Sequence, residues 1–474
     1  MNFVQYEFLW FFSIVFVLYW SIRDRMLQNA LLVLTSAIFY GWVHPWFLLL
    51  VYASASLDFI MGLSMKWWPE RKKQFLIASM VGNLSMLGVF KYLDFFVVEF
   101  GRVLTNVGLA EDGDYTRLGI LLPVGISFYT FQTMSYTISV YRGELTPRRN
   151  FIDYLVFVSF FPQLVAGPIE RATRLLPQIE TDRVFSIDNV RSGFALAMWG
   201  AFKKIVIADT LAPYVDKVFI HPNPEFPLIW AATMAFSVQI LADFSGYTDL
   251  ARGTARMLGF DLVRNFDRPY MSASTPEFWR RWHMSLSYWI RDYLLVPLLG
   301  QGRTIPFSRY LFATTVTFML LGIWHGPTWN FVLLGFWNGG WMIFYPYAAS
   351  VVPESVKAMR GSRKLAILFH QAIPGLVGAM MFRETHLSRI VQHLTQNPFT
   401  ASHEQWVAGT VVFVVTIAAG TPMVLAMFAE DTFLPRLRKT VWWLPAQTGT
   451  WACFAVAMYV FFRVTVRDFV YFAF

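Results

Sequence analysis

Apolar runs close to the length of a membrane crossing follow one another through almost the whole chain, and nothing else in the sequence narrows the possible folds as much. They lie near residues 3–20, 27–40, 46–65, 75–93 and 118–141, and again near 194–208, 228–242, 311–324, 331–347, 365–381, 406–428 and 441–462. A helix needs about 20 predominantly apolar residues to cross a bilayer. Irregular backbone survives at that depth only where protein or a water-filled cavity shields it. The expected fold is all-α and polytopic, with about eleven transmembrane helices plus re-entrant or interfacial pieces.

Composition points the same way, since 56% of the 474 residues are hydrophobic and 15% are charged, far from the balance of a soluble domain. No long polar segment separates the runs, so a single membrane-embedded domain over 1–474 is expected. The net charge of +9 sits in short Lys/Arg clusters between apolar runs, which argues for the bilayer and against nucleic acid as the partner. Basic loops at 23–25, 66–73 and 141–149 alternate with a near-neutral loop at 41–45 and the acidic "EDGD" at 111–114. That alternation puts the N-terminus outside the cytoplasm. The first run has no basic residue before it and lacks a small-residue cleavage site, so it reads as a retained span. The lone Cys453 can form no internal disulfide or thiol cluster and is expected to serve packing. There is no fixed-period repeat and no low-complexity tract.

After Asn150 the pattern degrades. The stretch 151–168, "FIDYLVFVSFFPQLVAGP", is short for a crossing and reads as re-entrant or interfacial, which implies that the second half encloses a cavity.

The polar chemistry gathers in that half. The segment 242–270 carries Arg252, Arg256, Arg264 and Arg268, and beyond it "TPEFWRRWHMSLSYWIRDYLLVPLLG" (275–300) contains His283. Thr275 and Glu277 flanking Pro276 predict a helix start. On a 3.6-residue period His283 then shares a face with Trp279, Leu286, Ser287 and Ile290. An interfacial histidine in an amphipathic, Trp- and Arg-rich helix would explain His283 equally well. His325, in "LGIWHGPTWN" (321–330), differs in having no charged residue within a helical turn on either side. An ionisable group inside a span is by default a functional-site hypothesis.

The other polar residues at membrane depth, Asp58, Lys91, Gln132, Asp243, Ser245 and Asp249, read as structural partners of one another or of the arginines. Asp243 could also orient one of the histidines. There is no phosphate-binding glycine loop, no HExxH and no GxSxG, and the histidines lack metal-ligand spacing, so no metal is expected.

"FWRRWHMSLSYWIRDYLLVPLLG" followed by "LGIWHGPTWNFVLLGFWNG" resembles the signature region of the membrane-bound O-acyltransferase (MBOAT) family. The branch it resembles is the bacterial polysaccharide-acetylating one, typified by the alginate O-acetyltransferase membrane subunit. "LLPVGISFYTFQTMSYTISVYRGE" (121–144), "FVSFFPQLVAGPIERATRLLPQI" (157–179) and "QILADFSGYTDLARGTARMLGF" (239–260) extend the likeness over most of the chain. Two departures bear on the acceptor: Ser139 stands where members often carry Asp, and Asn338 where a second histidine often precedes glycine.

The resemblance implies a ring of tilted helices around a thin central funnel, in the bacterial inner membrane, with the family's two marked histidines at His283 and His325. It further implies acetyl-coenzyme A or another acyl thioester as the donor, no bound cofactor, an exported polysaccharide of alginate, cellulose or peptidoglycan type as final acceptor, and an extracytoplasmic partner protein. In that setting a neutral His325 would take the proton from the attacking hydroxyl. His283, Trp279 or Trp282 would hold the thioester or its oxyanion. Arg280, Arg281 and the other cytoplasmic arginines would attract the donor's phosphates, with Asp243 as an orienting carboxylate. Two alternatives remain open at this point: D-alanyl transfer to teichoic acid, and a non-enzymatic conduit for an acyl donor or a polymer.

Overall fold

A computed structural model describes residues 1–42, 44–109, 118–165, 167–300, 302, 305–351 and 361–462. The described residues are helical and contain no strand. They form two compact units, one of residues 1–193 with 251–263, the other of 194–250 with 264–474. The acidic loop at 111–114 lies outside the described residues.

In the first unit the helices are α1 (Tyr6–Ser21), α2 (Arg25–Gly41), α3 (Phe47–Trp67), α4 (Pro69–Asn106), α5 (Ile126–Tyr141), α6 (Phe151–Ser159), α7 (Phe161–Leu164) and α8 (Ala172–Glu180). One face of α1 buries Phe8, Val15 and Tyr19, while Leu9, Trp10 and Val17 are exposed, as expected of a helix whose outer face meets lipid. The buried polar residues are tied to each other. Asp58 on α3 accepts from Ser79 and, at 2.9 Å, from Asn83 Nδ2 on α4, and Ser54 Oγ donates to Asn83 Oδ1 at 2.6 Å. Asp153 likewise accepts from Arg25 (3.2 Å) and Asn29 (2.8 Å). These pairs keep polar groups satisfied where water cannot reach them.

One expectation changes here. The run 118–141 is helical only from Ile126, because Gly125 holds a left-handed φ of 77° that ends regular backbone. A Cβ at Gly125 would also meet the Leu164 carbonyl oxygen at 2.7 Å. The stretch 151–164 forms two short helices interrupted at Phe160, just before Pro162, and neither is long enough to cross. Asn150 caps the first by accepting from Ile152 N at 2.9 Å.

In chain order, wholly or mostly within the second unit, come α9 (Ile187–Phe202), a π-helical turn at Lys203–Ala208, α10 (Asp209–Ile220), α11 (Phe226–Met257), α12 (Thr275–Trp279), α13 (Met284–Ile290), α14 (Val296–Leu299), α15 (Phe307–His325), α16 (Trp329–Val351), α17 (Ser362–Arg383), α18 (Leu387–Thr395), α19 (His403–Leu437) and α20 (Trp443–Phe461). Six helices among the described residues, α3, α4, α11, α15, α17 and α19, are long and apolar enough to cross a membrane. Cys453 is exposed on α20 and so does not serve packing.

Glycines set the closest helix contacts of this unit. A Cβ at Gly200 would meet the Gly246 carbonyl oxygen at 2.6 Å, and one at Gly246 the Gly200 carbonyl oxygen at 2.8 Å. Small residues at such crossings let two backbones touch.

Candidate active site

Helix α15 ends at His325 for a local reason. Gly326 and Pro327 follow, and Gly326 is extended at φ −171° and ψ 159°, the conformation favoured by a residue before proline. The chain turns and re-enters as α16, packed hard against α15: a Cβ at Gly322 would lie 2.2 Å from the Phe331 carbonyl oxygen, and one at Gly335 2.5 Å from that of Phe318. Asn330 pins the turn, donating from Nδ2 to the Met381 carbonyl at 2.9 Å and accepting from Thr328 Oγ1 at 2.5 Å. The imidazole of His325 is therefore fixed by the end of one helix, the start of the next and the far end of α17. It lies 5.2 Å from the ring of Phe382, 6.1 Å from that of Phe331 and 5.0 Å from that of Trp324, centroid to centroid.

His325 borders a cavity of about 410 Å³ within the second unit. Trp279, Trp282, Thr275, Asn338 and His370 share its wall, which is otherwise mainly aliphatic and aromatic. The polar atoms are few but chemically distinct. Trp279 Nε1 and Thr275 Oγ1 are buried with no hydrogen-bond partner among the described residues. An unsatisfied buried donor costs roughly 1–3 kcal/mol, so these groups are held ready for something that completes them. A mainly apolar pocket with a few convergent polar groups is the usual form of a small-molecule site.

His283 is placed differently from the sequence expectation. No single helix runs from 275 to 290. Ser274 caps α12 by accepting from Glu277 N at 3.3 Å, α12 stops at Trp279, and α13 starts at Met284. Between them His283 is left-handed, at φ 41° and ψ 53°, so it does not share a helical face with Trp279. The neighbouring segment causes the break by capturing the backbone: Met284 N donates to the Asn265 carbonyl and Asp267 N to the Arg281 carbonyl, both at 2.9 Å. His283 is fully buried, 4.7 Å from the ring of Phe244 and 6.3 Å from that of Trp324. Trp324 thus touches both histidines. Burial pulls the His283 imidazole down to about 3, only partly opposed by its own backbone carbonyl, so it is neutral at physiological pH.

The remaining residues singled out from sequence divide. Trp279 and Trp282 line the cavity. Arg280 is exposed. Arg281 pairs with Glu277 (3.1 Å) and Asp267 (3.8 Å), and Glu277 also binds Arg363 at 2.7 Å. Asp243 is fully buried and forms an ion pair with Lys204 Nζ at 2.8 Å, which Asp209 shares at 2.8 Å. Its place is in that network between α11 and the π-helical turn.

Sequence reading passed over His370 and Thr275. His370 is buried in α17 at the start of a π-helical turn, Gln371–Gly375, and bonds Gln371 Nε2 through Nδ1 at 3.0 Å. Its signal was present, an ionisable group inside an apolar run. Thr275 carried none, because a threonine at a helix start looks structural.

Residues 144–367, which include both His283 and His325, match the model of MBOAT, the membrane-bound O-acyltransferase family. The chain is 39% identical over 346 residues to the probable alginate O-acetylase AlgI of Pseudomonas aeruginosa, covering 72% of this chain and 65% of that protein. To the probable alginate O-acetylase AlgI of Azotobacter vinelandii it is 36% identical over 392 residues, 82% of this chain and 76% of the relative. The peptidoglycan O-acetyltransferase of Helicobacter pylori matches at 32% over 344 residues, 66% and 64% of the two chains. Apolar helices, an imidazole at a cavity wall and relatives aligned over most of their length converge on one statement: the chain belongs to the membrane-bound O-acyltransferase family.

Proposed function

We propose that this membrane O-acyltransferase moves an acetyl group from a cytoplasmic thioester, acetyl-coenzyme A or a related donor, toward hydroxyls of an exported polysaccharide. An extracytoplasmic partner protein receives or directs the group, and the setting is the bacterial inner membrane, crossed about eleven times. The observation that carries this reading is His325, an imidazole at a helix end facing a mainly apolar cavity of about 410 Å³. Acetyl transfer is favoured over D-alanyl transfer because the relatives above are named for acetylation of alginate and peptidoglycan.

The chemistry follows from the wall. The acceptor hydroxyl attacks the thioester carbonyl while His325 takes its proton. The C–O bond forms and the carbonyl oxygen becomes an oxyanion, to which the Trp279 indole N–H is suited to donate. The C–S bond then breaks, and the leaving thiolate takes the proton back from the imidazolium. A general base supplies about two to four powers of ten, a preorganised oxyanion donor about two to three more, and the rest is positioning in a dry site. Arg280, with exposed charge beside the cavity's α12, is the arginine best placed to attract donor phosphates.

The test is to incubate the purified protein with radiolabelled acetyl-coenzyme A and polysaccharide acceptor, with and without its extracytoplasmic partner. Label should reach the acceptor with the wild type, and transfer should fall at least a hundredfold with His325→Gln at unchanged folding. Wild-type transfer by a folded His325→Gln protein would end the reading.

A further inference from the structure

Asn265 precedes the cavity-lining segment and is completely buried, yet it determines what His283 is able to do. Its Oδ1 lies 3.1 Å from Ser285 N, 3.0 Å from Ser285 Oγ and 3.2 Å from His283 Nδ1. A backbone N–H can only donate, so the amide atom facing Ser285 N has to be the oxygen and not the nitrogen. That oxygen has no proton to offer, and Nδ1 of His283 must therefore be the protonated ring nitrogen. Because the buried ring carries a single proton, Nε2 is left with its lone pair.

We propose that Asn265 is a positioning residue that locks His283 in the Nδ1–H tautomer. His283 Nε2 is then an acceptor only, and cannot donate a hydrogen bond to the oxyanion. The same asparagine holds the ring's backbone in place: its carbonyl receives Met284 N–H at 2.9 Å and its side chain receives Ser285 N–H. These bonds bracket a non-glycine residue at φ 41°, a conformation that costs free energy and persists only where neighbours over-determine it. One residue fixes both the orientation of the imidazole and which nitrogen is basic. This also removes His283 from the donor role: oxyanion donation falls to the Trp279 indole.

The tautomer rests on the Asn265 geometry together with the burial of the ring, and its kinetic consequence rests on the acyl-transfer reading above. The experiment is ¹⁵N NMR of the full chain in lipid nanodiscs with ¹⁵N-labelled histidine, the His283 signals being identified by their loss in His283→Gln. The wild type should show a pyrrole-type Nδ1 and a pyridine-type Nε2, unchanged from pH 8 to pH 5. In Asn265→Asp the carboxylate still accepts from Ser285 N–H but favours the imidazolium, so His283 should begin to titrate within that range. Asn265→Ala should mix the tautomers, and transfer should drop about tenfold or more, as happens when a catalytic imidazole is left in the wrong tautomer. An Nε2–H tautomer or an imidazolium in the wild type at pH 7 overturns the proposal, and that result needs no folded Asn265 variant. Altered tautomers with an undiminished transfer rate overturn the positioning role. Wild-type protein with the stated tautomer but no acyl transfer would instead refute the proposed function and leave the tautomer standing.

Discussion

Two residues with the same side chain have different surroundings, and their chemistry differs accordingly. His325 caps a helix at a cavity wall. His283 lies in a left-handed turn, encased by aromatic rings and held by Asn265. Trp279 adds an N–H buried without a partner among the described residues. Trp279→Phe keeps the ring and removes that donor. Expressed and folded normally, it should lose about a hundred- to a thousandfold in kcat with little change in KM, measured by acetyl transfer from labelled donor under saturating conditions. An unchanged kcat would remove Trp279 from the chemistry.

Helix contacts hold these residues at their stations, and the α15–α16 pair is the tightest. The backbone of α16 passes close against Gly322 and that of α15 close against Gly335, so an added side chain must push two helices apart. Gly335→Val should cost about 1–3 kcal/mol, seen as a lower melting temperature in detergent, with activity lost beyond that because His325 moves. A second element-level contact closes the far end of α17. Glu384 Oε2 accepts from Arg389 Nε at 2.8 Å, and Arg389 Nη2 donates to the Phe219 carbonyl at 2.7 Å, tying α18 to the end of α10. Burial pushes the Glu384 carboxyl up, but the nearby His393 ring (Nε2 at 3.7 Å), the His386 backbone N–H and the charge of Arg389 outweigh it and hold it at about 2. A depressed carboxylate contributes stability that is fully present above the unfolded value near 4.5 and is lost as pH falls toward 2. The melting temperature of the wild type should therefore exceed that of Glu384→Gln above pH 5, and the gap should narrow as pH is lowered through 4 and 3. A gap independent of pH would mean that the carboxylate charge is not what stabilises this end.

For the whole molecule the question is whether group transfer or passage is the function. The proposed enzyme carries an acetyl group between donor and acceptor without moving coenzyme A across the bilayer. In sealed proteoliposomes with labelled acetyl-coenzyme A on one side only, label should appear on an acceptor supplied to the other side while the coenzyme stays where it was added. Free coenzyme crossing the bilayer at a rate unaffected by His325→Gln would favour a conduit instead.

Much of the fold was legible in the chain itself, because a bilayer leaves so few solutions for long apolar runs, and an imidazole in a span pointed to His325, which the fold places at a cavity wall. The role of Gly326–Pro327 in stopping α15 at His325 is equally local. Other features were invisible, since they depend on which distant backbone reaches which residue. Period alone placed His283 on a helix face with Trp279, but residues 265–267 claim the backbone hydrogen bonds that a continuous helix would have used. Asp243 looked free to orient a histidine until folding brought Lys204 to it, and His370 became a cavity residue only when α17 packed against α16 and joined the pocket wall. Hydrophobic length is a property of neighbouring residues and can be read along the chain, whereas the partner of a buried polar group is chosen by tertiary packing, which alone decides whether it is a strut, an ion pair or a site.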